Sequence, residues 1–522
     1  MKRLLAAALL LCALTGCSDG GPAPAADRQQ AAADLTPADR AAVRQGGTLR
    51  WAVDEVPADL DVYAATAPPD TALIAHALLP SLYRLDDRGR PVADPDYLAG
   101  AKAADRTVVY RLNPKAVWSD GTPLAAADFT AQWTALRGSH PGYGAIESIA
   151  PGADPHQVKV VFRQPYQDWQ GLFSPLYPAR GLPRSAGPFA LESLDAKAGR
   201  AVLARNPRWW GDAPKVDEID FLATPDRLAA LDRNQVDVAA LEGTLDHPPA
   251  AKSADAVQSA AQLLRRAESL PGITLHRAAA PAFTQLTLNG ARGPLAEPAV
   301  RRAVAAAVDR RKLAAAALAP LGLPAAPLGN HLLMAGQPGY RDDSPALGAT
   351  AKQLKLDLSL IYPDGSAAAR RTADALVAQL AGQGVTVHPQ ALPAAGFVAD
   401  HLAAGDWDLA LFSWPATAFP AVDERPLYAK PRPGADGRPV SGLNYGGTGT
   451  DEIDALFDRA AAEPDQSRRT ALLLQADQRI WEEGHSVPLY QRPELVAVRT
   501  GVAGAGAYGF GWPRYQDLGF LS

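Results

Sequence analysis

Cysteine is rare in this chain, and this rarity constrains the fold more than any other feature of the sequence. The 522 residues include two cysteines, Cys12 and Cys17, both near the N-terminus. The long body that follows therefore has no disulfides, and burial of apolar side chains must supply its stability. With 47% hydrophobic residues, a chain of this length can form two or three domains, each with its own core.

The N-terminal segment predicts export and a lipid anchor. Two basic residues precede an apolar stretch, residues 4–14, which is too short for a membrane-spanning helix. It ends in Leu-Thr-Gly-Cys17, a pattern typical of lipoprotein signal peptides, in which the cysteine thiol is acylated. We expect residues 1–16 to be a signal peptide, Cys17 to carry lipid and residues 17–45 to be a flexible tether. The alternative is an ordinary signal peptide with a chance cysteine.

Charge and motif content argue against nucleic acid as a partner and against catalysis. The chain has 51 basic and 56 acidic residues with no long run of one sign, a balance unlike that of nucleic-acid-binding proteins. The nine histidines are scattered, and none form an i, i+4 pair or an H-E-x-x-H motif. A G-x-G-x-x-G pattern at 504–509 is followed by Phe-Gly-Trp-Pro and not by a helix. We expect no enzyme activity, no metal and no cofactor.

The hydrophobic pattern indicates an α/β chain. Alternating apolar residues predict strands at 48–53, 107–112 and 158–162. Pro298 precedes a helical pattern. From 356 to 413 the order is strand, Pro-Asp-Gly turn, helix, strand and strand, which is typical of a βαβ unit. Two further helices are predicted around 453–460 and 472–480, with a strand from Val487.

Four segments carry more specific motifs. They are Val109-Tyr-Arg-Leu-Asn-Pro with Trp118-Ser-Asp-Gly, Gly187-Pro-Phe-Ala-Leu with Arg205-Asn-Pro-Arg-Trp-Trp-Gly, Leu288-Asn289 with Val300-Arg-Arg-Ala-Val, and Val487-Pro-Leu-Tyr490. Together they resemble bacterial solute-binding protein family 5, the oligopeptide- and dipeptide-binding components of ABC importers, over nearly the whole mature chain. We interpret the Trp118 run as a structural turn with a packed tryptophan, and the Trp209-Trp210 pair as structural packing.

The resemblance implies a fold and a domain division. The fold is α/β and like the type II periplasmic binding proteins, with two lobes around a cleft and an extra strand-rich subdomain. Lobe I comprises 46–63, 180–272 and 487–522, the subdomain 64–179, and lobe II 273–486. Ligand would lie between the lobes, which close by a hinge motion. The implied partners are a small solute or peptide and ABC permease subunits. The protein would be a monomer outside the cytoplasm, anchored to the cell membrane.

One position puts the ligand class in question. Trp414 comes directly after a predicted strand at 407–413. Ligands of open α/β lobes gather at the carboxyl ends of strands. In oligopeptide binders an aspartate three residues after the matching tryptophan neutralises the α-amine of the peptide. Here that position is Thr417, although Asp423 or Glu424 is close enough in sequence to supply a carboxylate.

The remaining candidate ligand contacts are five residues: Tyr63, Asn444, Tyr445, Tyr490 and Gln491. A glycine loop without a ligand role is an equal alternative for Asn444 and Tyr445, as is a hinge-packing role for Tyr490 and Gln491. Two functions remain open. The first is a receptor that delivers a peptide-like or other polar solute to an ABC permease. The second is a lipid- or glycolipid-binding regulator of envelope assembly, a role that the missing aspartate allows.

Overall fold

The computed structural model describes residues 30–64, 67–68, 70–241, 256–348, 353–433, 439–440 and 442–522. The predicted signal peptide, Cys17 and the first part of the predicted tether lie outside the described residues. Within the described part, no helix combines the length and apolarity that crossing a membrane would need.

Two sheets contain most of the strands in the described part of the chain. The larger has ten strands and the smaller has four. In chain order, their strands are β1 (Thr48–Val53), β2 (Leu98–Ala104), β3 (Thr107–Leu112), β4 (Ile146–Pro151), β5 (Gln157–Phe162), β6 (Phe189–Asp195), β7 (Arg200–Arg205), β8 (Glu218–Ala223), β9 (Val238–Ala240), β10 (Ile273–Leu288), β11 (Leu356–Pro363), β12 (Val385–Leu392), β13 (Leu409–Pro415) and β14 (Ser486–Arg499). The strand predictions at 48–53, 107–112 and 158–162 are confirmed.

The ten-stranded sheet runs in the order β12-β11-β13-β10-β14-β9-β1-β8-β7-β6. Its strands β1 and β6 to β9 lie in the range predicted for lobe I, and β11 to β13 lie in that of lobe II. The long antiparallel pair β10 and β14 joins the two groups, because β14 also pairs with β9 and β10 also pairs with β13. Their register shifts between Ala279 and Phe283, so the pairing is irregular where the chain passes from one group to the other.

The four-stranded sheet lies in the range of the predicted subdomain, in the order β2-β3-β5-β4. The Trp118 run follows β3 and is structural, as predicted. Trp118 is 2% exposed and donates from Nε1 to Asp128 Oδ2 at 3.2 Å. The Asp120 carboxylate accepts from the backbone N–H of Thr122, and Gly121 has φ +87°, a conformation that favours glycine.

Helices cover both groups of strands. The longer helices are α1 (Asp70–Leu78), α2 (Ala126–Leu136), α3 (Arg227–Asp232), α4 (Ala256–Ser269), α5 (Pro298–Ala306), α6 (Arg310–Leu318), α7 (Ala367–Ala381), α8 (Asp451–Ala462) and α9 (Gln466–Glu483). Strand β11, helix α7 and strand β12 form the predicted βαβ unit, with β11 and β12 parallel. Side chains of Ser366, Thr450 and Asp465 cap the first turns of α7, α8 and α9.

Short elements complete the fold. Short helices or helical turns are Arg40–Ala42, Pro141–Gly144, Gln167–Gly171, Pro294–Ala296, Ala319–Leu321, Ser344–Leu347, Phe397–Leu402, Pro420–Asp423, Arg425–Tyr428 and Tyr515–Asp517. Short strands pair as Asp34–Leu35 with Gly506–Ala507, Tyr83–Leu85 with Pro91–Ala93, Arg432–Pro433 with Pro439–Val440, and Val502–Ala503 with Gly519–Phe520.

Residues 30–36, which form part of the predicted tether, pack along the joining strands. The backbone N–H of Ala279 donates to Ala31 O at 2.8 Å. The Asp34 carboxylate contacts the His276 ring at 3.0 Å and accepts from the backbone N–H of Arg277 at 2.8 Å. The sequence pattern of small and polar residues predicts a flexible segment here, whereas backbone hydrogen bonding and the contacts of the Asp34 carboxylate attach it to β10.

Candidate functional site

A cavity lies between the predicted subdomain and lobe II. It has a volume of about 230 Å³, and we call it the junction cavity. Its walls come from the turn at 88–91, from Asp168 and Gln170 on the subdomain side, and from Gln337, residues 418–421 and helix α9 on the lobe II side. Polar and charged side chains dominate the subdomain side of this wall, which suits a polar solute.

A second cavity lies beside the first, mainly within the subdomain and lobe I. It has a volume of about 130 Å³, and we call it the inner cavity. Aromatic side chains form much of its wall: they are His76, Tyr83, Tyr97, Trp209, Trp512 and Tyr515. The rings of His76 and Trp512 stack with centroids 4.4 Å apart. Trp209 also packs against Tyr97, so the predicted packing role of this tryptophan coexists with a place in a cavity wall.

An ion pair joins the predicted subdomain to lobe II in the wall of the junction cavity. Arg469 Nη1, on α9, lies 2.9 Å from Asp168 Oδ1. The Asp168 side chain is only 3% exposed, and its Oδ2 has no hydrogen-bond partner among the described residues. Burial raises the pKa of the Asp168 carboxyl to about 7, and the nearby Arg469 charge lowers it by a smaller amount.

Trp414 lies where lobe II meets lobe I. Strand β13 runs from Leu409 to Pro415, two residues later than the predicted 407–413. The Trp414 ring stacks on Tyr445 with centroids 6.0 Å apart and an angle of 4° between the planes. It also packs against a cluster that includes Phe283 of β10 and Phe510 of lobe I. The predicted pair Trp414 and Tyr445 is therefore in contact, close to the lobe junction.

Thr417 makes local contacts in place of the family aspartate. Its hydroxyl donates to Asp423 Oδ2 at 2.6 Å, and its carbonyl accepts from Gln337 Nε2 at 3.0 Å. Asp423 is exposed, whereas Glu424 is 3% exposed. Burial raises the pKa of the Glu424 carboxyl well above its ordinary range, and the Asp423 charge adds to that rise. Neither carboxylate lines the two cavities.

The other predicted contacts lie in packed surroundings. Asn444 is fully buried, and its amide bonds the carbonyls of Ala429 and Thr448 while its oxygen faces His485 Nε2 at 2.7 Å. Tyr490 is 2% exposed, in a hydrophobic cluster to which both predicted lobes contribute.

Two further candidates stand apart from both cavities. Gln491 donates from Nε2 to Ala280 O at 2.9 Å, within the irregular part of the joining strands. Tyr63 belongs to the subdomain core, where its hydroxyl lies 3.3 Å from that of Tyr143. Ligand roles for Asn444, Tyr490, Gln491 and Tyr63 stay predictions.

Sequence reasoning missed three residues that shape the lobe junction: Asp168, Phe419 and Arg469. Asp168 and Arg469 are 301 positions apart, and their pairing has no local sequence signal. Phe419 is the most recognisable of the three, because a large apolar side chain in the loop between Thr417 and Pro420 is a candidate for burial against another element.

Comparison with known proteins gives consistent matches. A sequence model described as "Bacterial extracellular solute-binding proteins, family 5 Middle" matches residues 101–432. The oligopeptide-binding protein OppA of Mycobacterium tuberculosis is 33% identical over 577 residues, with 99% of this chain and 93% of OppA covered. The probable monoacyl phosphatidylinositol tetramannoside-binding protein LpqW of the same species is 30% identical over 280 residues, which cover 47% of this chain and 41% of LpqW.

Among solved structures, the periplasmic EDTA-binding protein EppA superposes with a TM-score of 0.77 at 24% identity, covering 94% of this chain and 98% of EppA. The predicted fold is therefore confirmed: the chain has a mixed α/β architecture like that of the type II periplasmic binding proteins.

Proposed function

The chain belongs to family 5 of the bacterial extracellular solute-binding proteins, and on that premise we propose that it captures a peptide-like or other polar solute between its lobes and delivers it to an ABC permease. The observation that carries the proposal is the junction cavity, whose walls come from the predicted subdomain, on the lobe I side, and from lobe II. A solute held there contacts both sides of the junction at once and stabilises the closed arrangement.

The joining strands supply the hinge for this mechanism. The backbone connection between the two halves of the large sheet runs through β10 and β14, and their pairing is irregular between Ala279 and Phe283. Rotation at this irregular stretch would separate the walls of the junction cavity and leave each half of the sheet intact. Closure around a solute would then create a surface, formed by both lobes, that a permease can distinguish from the open form.

A stability screen tests the proposal directly. The purified protein is heated with a panel of di- to pentapeptides and with other polar solutes, and the unfolding temperature is compared with that of the free protein. A ligand at 100 times its Kd stabilises the native state by about 2.7 kcal/mol. Concentration-dependent stabilisation by at least one peptide supports the peptide version. If another polar solute stabilises the protein and no peptide does, the proposal of a peptide ligand is wrong and the proposal of a polar solute stands.

A glycolipid ligand is the second candidate, and the similarity to LpqW over part of the chain favours it. Against it stands cavity size: both cavities are smaller than the roughly 300–1,000 Å³ of typical small-molecule pockets, whereas an acylated glycolipid requires more space. Native mass spectrometry of the protein purified from its source organism separates the two. A copurified acylated glycolipid, without any peptide or small solute, would contradict the import proposal.

A further inference from the structure

Phe419 stands between the junction cavity and the inner cavity. It is one of two residues that line both cavities, and the other is Gln170. Every other described residue of the inner cavity belongs to lobe I or the subdomain, so among the residues that the structure describes Phe419 alone represents lobe II in that wall. The phenyl ring therefore reaches across the lobe junction and covers one side of the inner cavity.

The backbone opposite the ring is shaped to receive it. A Cβ atom built on Gly171 would lie 2.7 Å from two ring carbons of Phe419, closer than carbon atoms approach without displacement. Glycine at 171 thus lets the ring rest directly on the backbone of the subdomain. The same loop presents Gln170 to both cavities, so the ring and this loop together form the partition.

Aromatic rings distinguish the inner cavity from the junction cavity, and charged side chains line both. The junction cavity is lined by Arg88, Arg469 and Asp168, whereas the inner cavity presents the stacked His76 and Trp512 rings beside the charged side chains of Arg84, Asp94, Asp96 and Arg514. Burial lowers the pKa of the His76 imidazole to about 4, so this ring is neutral near pH 7. A polar solute suits the first cavity, and the rings of the second offer faces on which an aromatic extension of that solute can stack.

We propose that Phe419 determines ligand size: its ring confines the solute to the junction cavity, and removal of the ring opens the inner cavity to an aromatic extension of that solute. This inference rests on the proposed function, because it names the feature of the same cleft that limits what the protein accepts. The position of the Phe419 ring explains why the two neighbouring cavities, each below the usual volume of a ligand pocket, do not merge into a single pocket.

The test compares the wild type with Phe419→Ala in calorimetric titrations of a dipeptide and the same dipeptide extended by one tryptophan. We expect the wild type to bind the shorter peptide at least about tenfold more tightly, and Phe419→Ala to reverse or abolish that preference, because burial of a large aromatic group is worth tenfold or more in affinity. An unchanged ratio of affinities in Phe419→Ala would overturn the inference.

Two control variants distinguish the effect of removing the Phe419 ring from the effect of enlarging the junction cavity at another position. Leu473→Ala enlarges the junction cavity without touching the ring, and we expect it to keep the preference for the shorter peptide. Phe419→Leu retains much of the bulk and should lie between the wild type and Phe419→Ala. An equal shift in Leu473→Ala and Phe419→Ala would count against the partition. Circular dichroism and unfolding temperature confirm that each variant is folded.

A structure with a small probe decides the matter without peptides. Crystals of Phe419→Ala soaked with indole should show the probe in one continuous space between Gly171 and Trp512, whereas wild-type crystals should show two separate cavities. A wall that remains closed in Phe419→Ala would overturn the inference. If the wild type binds no peptide, the proposed peptide function fails, and the indole structures still decide whether Phe419 divides the cleft.

Discussion

Arg88 shows how single residues set the charge of the junction cavity. It stands in the turn at 88–91 and lines the cavity, and its guanidinium has no partner among the residues that the structure describes. Its neighbour Arg90 instead pairs with Asp86 at 2.6 Å. Because Asp168 is paired with Arg469, the unpaired Arg88 leaves this cavity with an excess of positive charge. That excess favours a solute that brings a carboxylate.

Replacement of Arg88 should therefore weaken binding of free acids. We expect Arg88→Gln to reduce affinity for a peptide with a free C-terminal carboxylate by about threefold to tenfold, since an exposed ionic contact is worth about 1 kcal/mol or less and a charge-assisted hydrogen bond somewhat more. The C-terminally amidated peptide should bind both forms equally. Calorimetry at low and high salt measures the effect. Arg90→Gln is the matched control, and an equal loss there would contradict the assignment.

Asn444 illustrates a residue whose predicted ligand role competes with a structural one. Its amide group bonds two backbone carbonyls and faces His485 in a fully buried position. We expect Asn444→Ala to lower the free energy of unfolding by roughly 2–4 kcal/mol, because several buried polar groups lose their partners. Denaturant unfolding measures the loss, and Asn113→Ala, a partly exposed position, should cost less. A weaker ligand affinity with unchanged stability would instead support the ligand role.

At the scale of elements, the strands and helices follow from local patterns, and the contacts between lobes do not. Apolar alternation predicts β1 and β3 with their observed bounds, and capping residues mark the starts of α7 and α8. The family motifs predict the lobes. The strand predicted at 407–413 begins and ends two residues later, at Leu409 and Pro415. Trp407 is buried just before the strand and does not belong to it. Asp168 meets Arg469 only through the arrangement of the whole chain, so no window of sequence reveals their contact.

The same ion pair predicts a pH-dependent closure. We expect opening of the junction to expose Asp168 and return its pKa from about 7 to the ordinary 3.8, so the closed form takes up a proton between these values. The contribution of Asp168 to closure is complete below about pH 4 and disappears as pH rises through 7. The group in the open form ionises near its ordinary pKa, and the ratio of closed to open protein should therefore fall about tenfold from pH 6 to pH 8.

Fluorescence energy transfer between dyes on the two lobes measures this ratio. Asp168→Asn should remove the dependence between pH 6 and pH 8, since an amide does not titrate. Glu147→Gln alters an exposed ion pair with Arg106 within the subdomain, away from the junction cavity, and should leave the dependence unchanged. Burial also raises the pKa of Glu494 to about 7. Because Glu494 lies in β14 within one lobe, its titration affects overall stability and not closure, so closure is the better readout. A pH dependence that persists in Asp168→Asn would contradict the assignment.

For the whole molecule, the sparse cysteine content permits a clean test of anchoring. We expect Cys17→Ser to move the protein from the membrane fraction to the soluble fraction, because no other described segment is long and apolar enough to hold it there. Cell fractionation with metabolic labelling by a fatty-acid analogue checks the result. Cys12→Ser, which alters the predicted signal peptide and not the acylated position, should leave the protein in the membrane fraction.

The attachment of residues 30–36 to the joining strands bears on how a receptor with the predicted anchor at Cys17 moves. Asp34 contacts His276 and Arg277 near the proposed hinge, so the first described residues meet the body close to the proposed axis of rotation and not at the tip of either lobe. A load applied through the N-terminus would then exert almost no torque on the closing motion. Both lobes would then rotate about a fixed attachment, and the work of closure would come from binding of the solute alone.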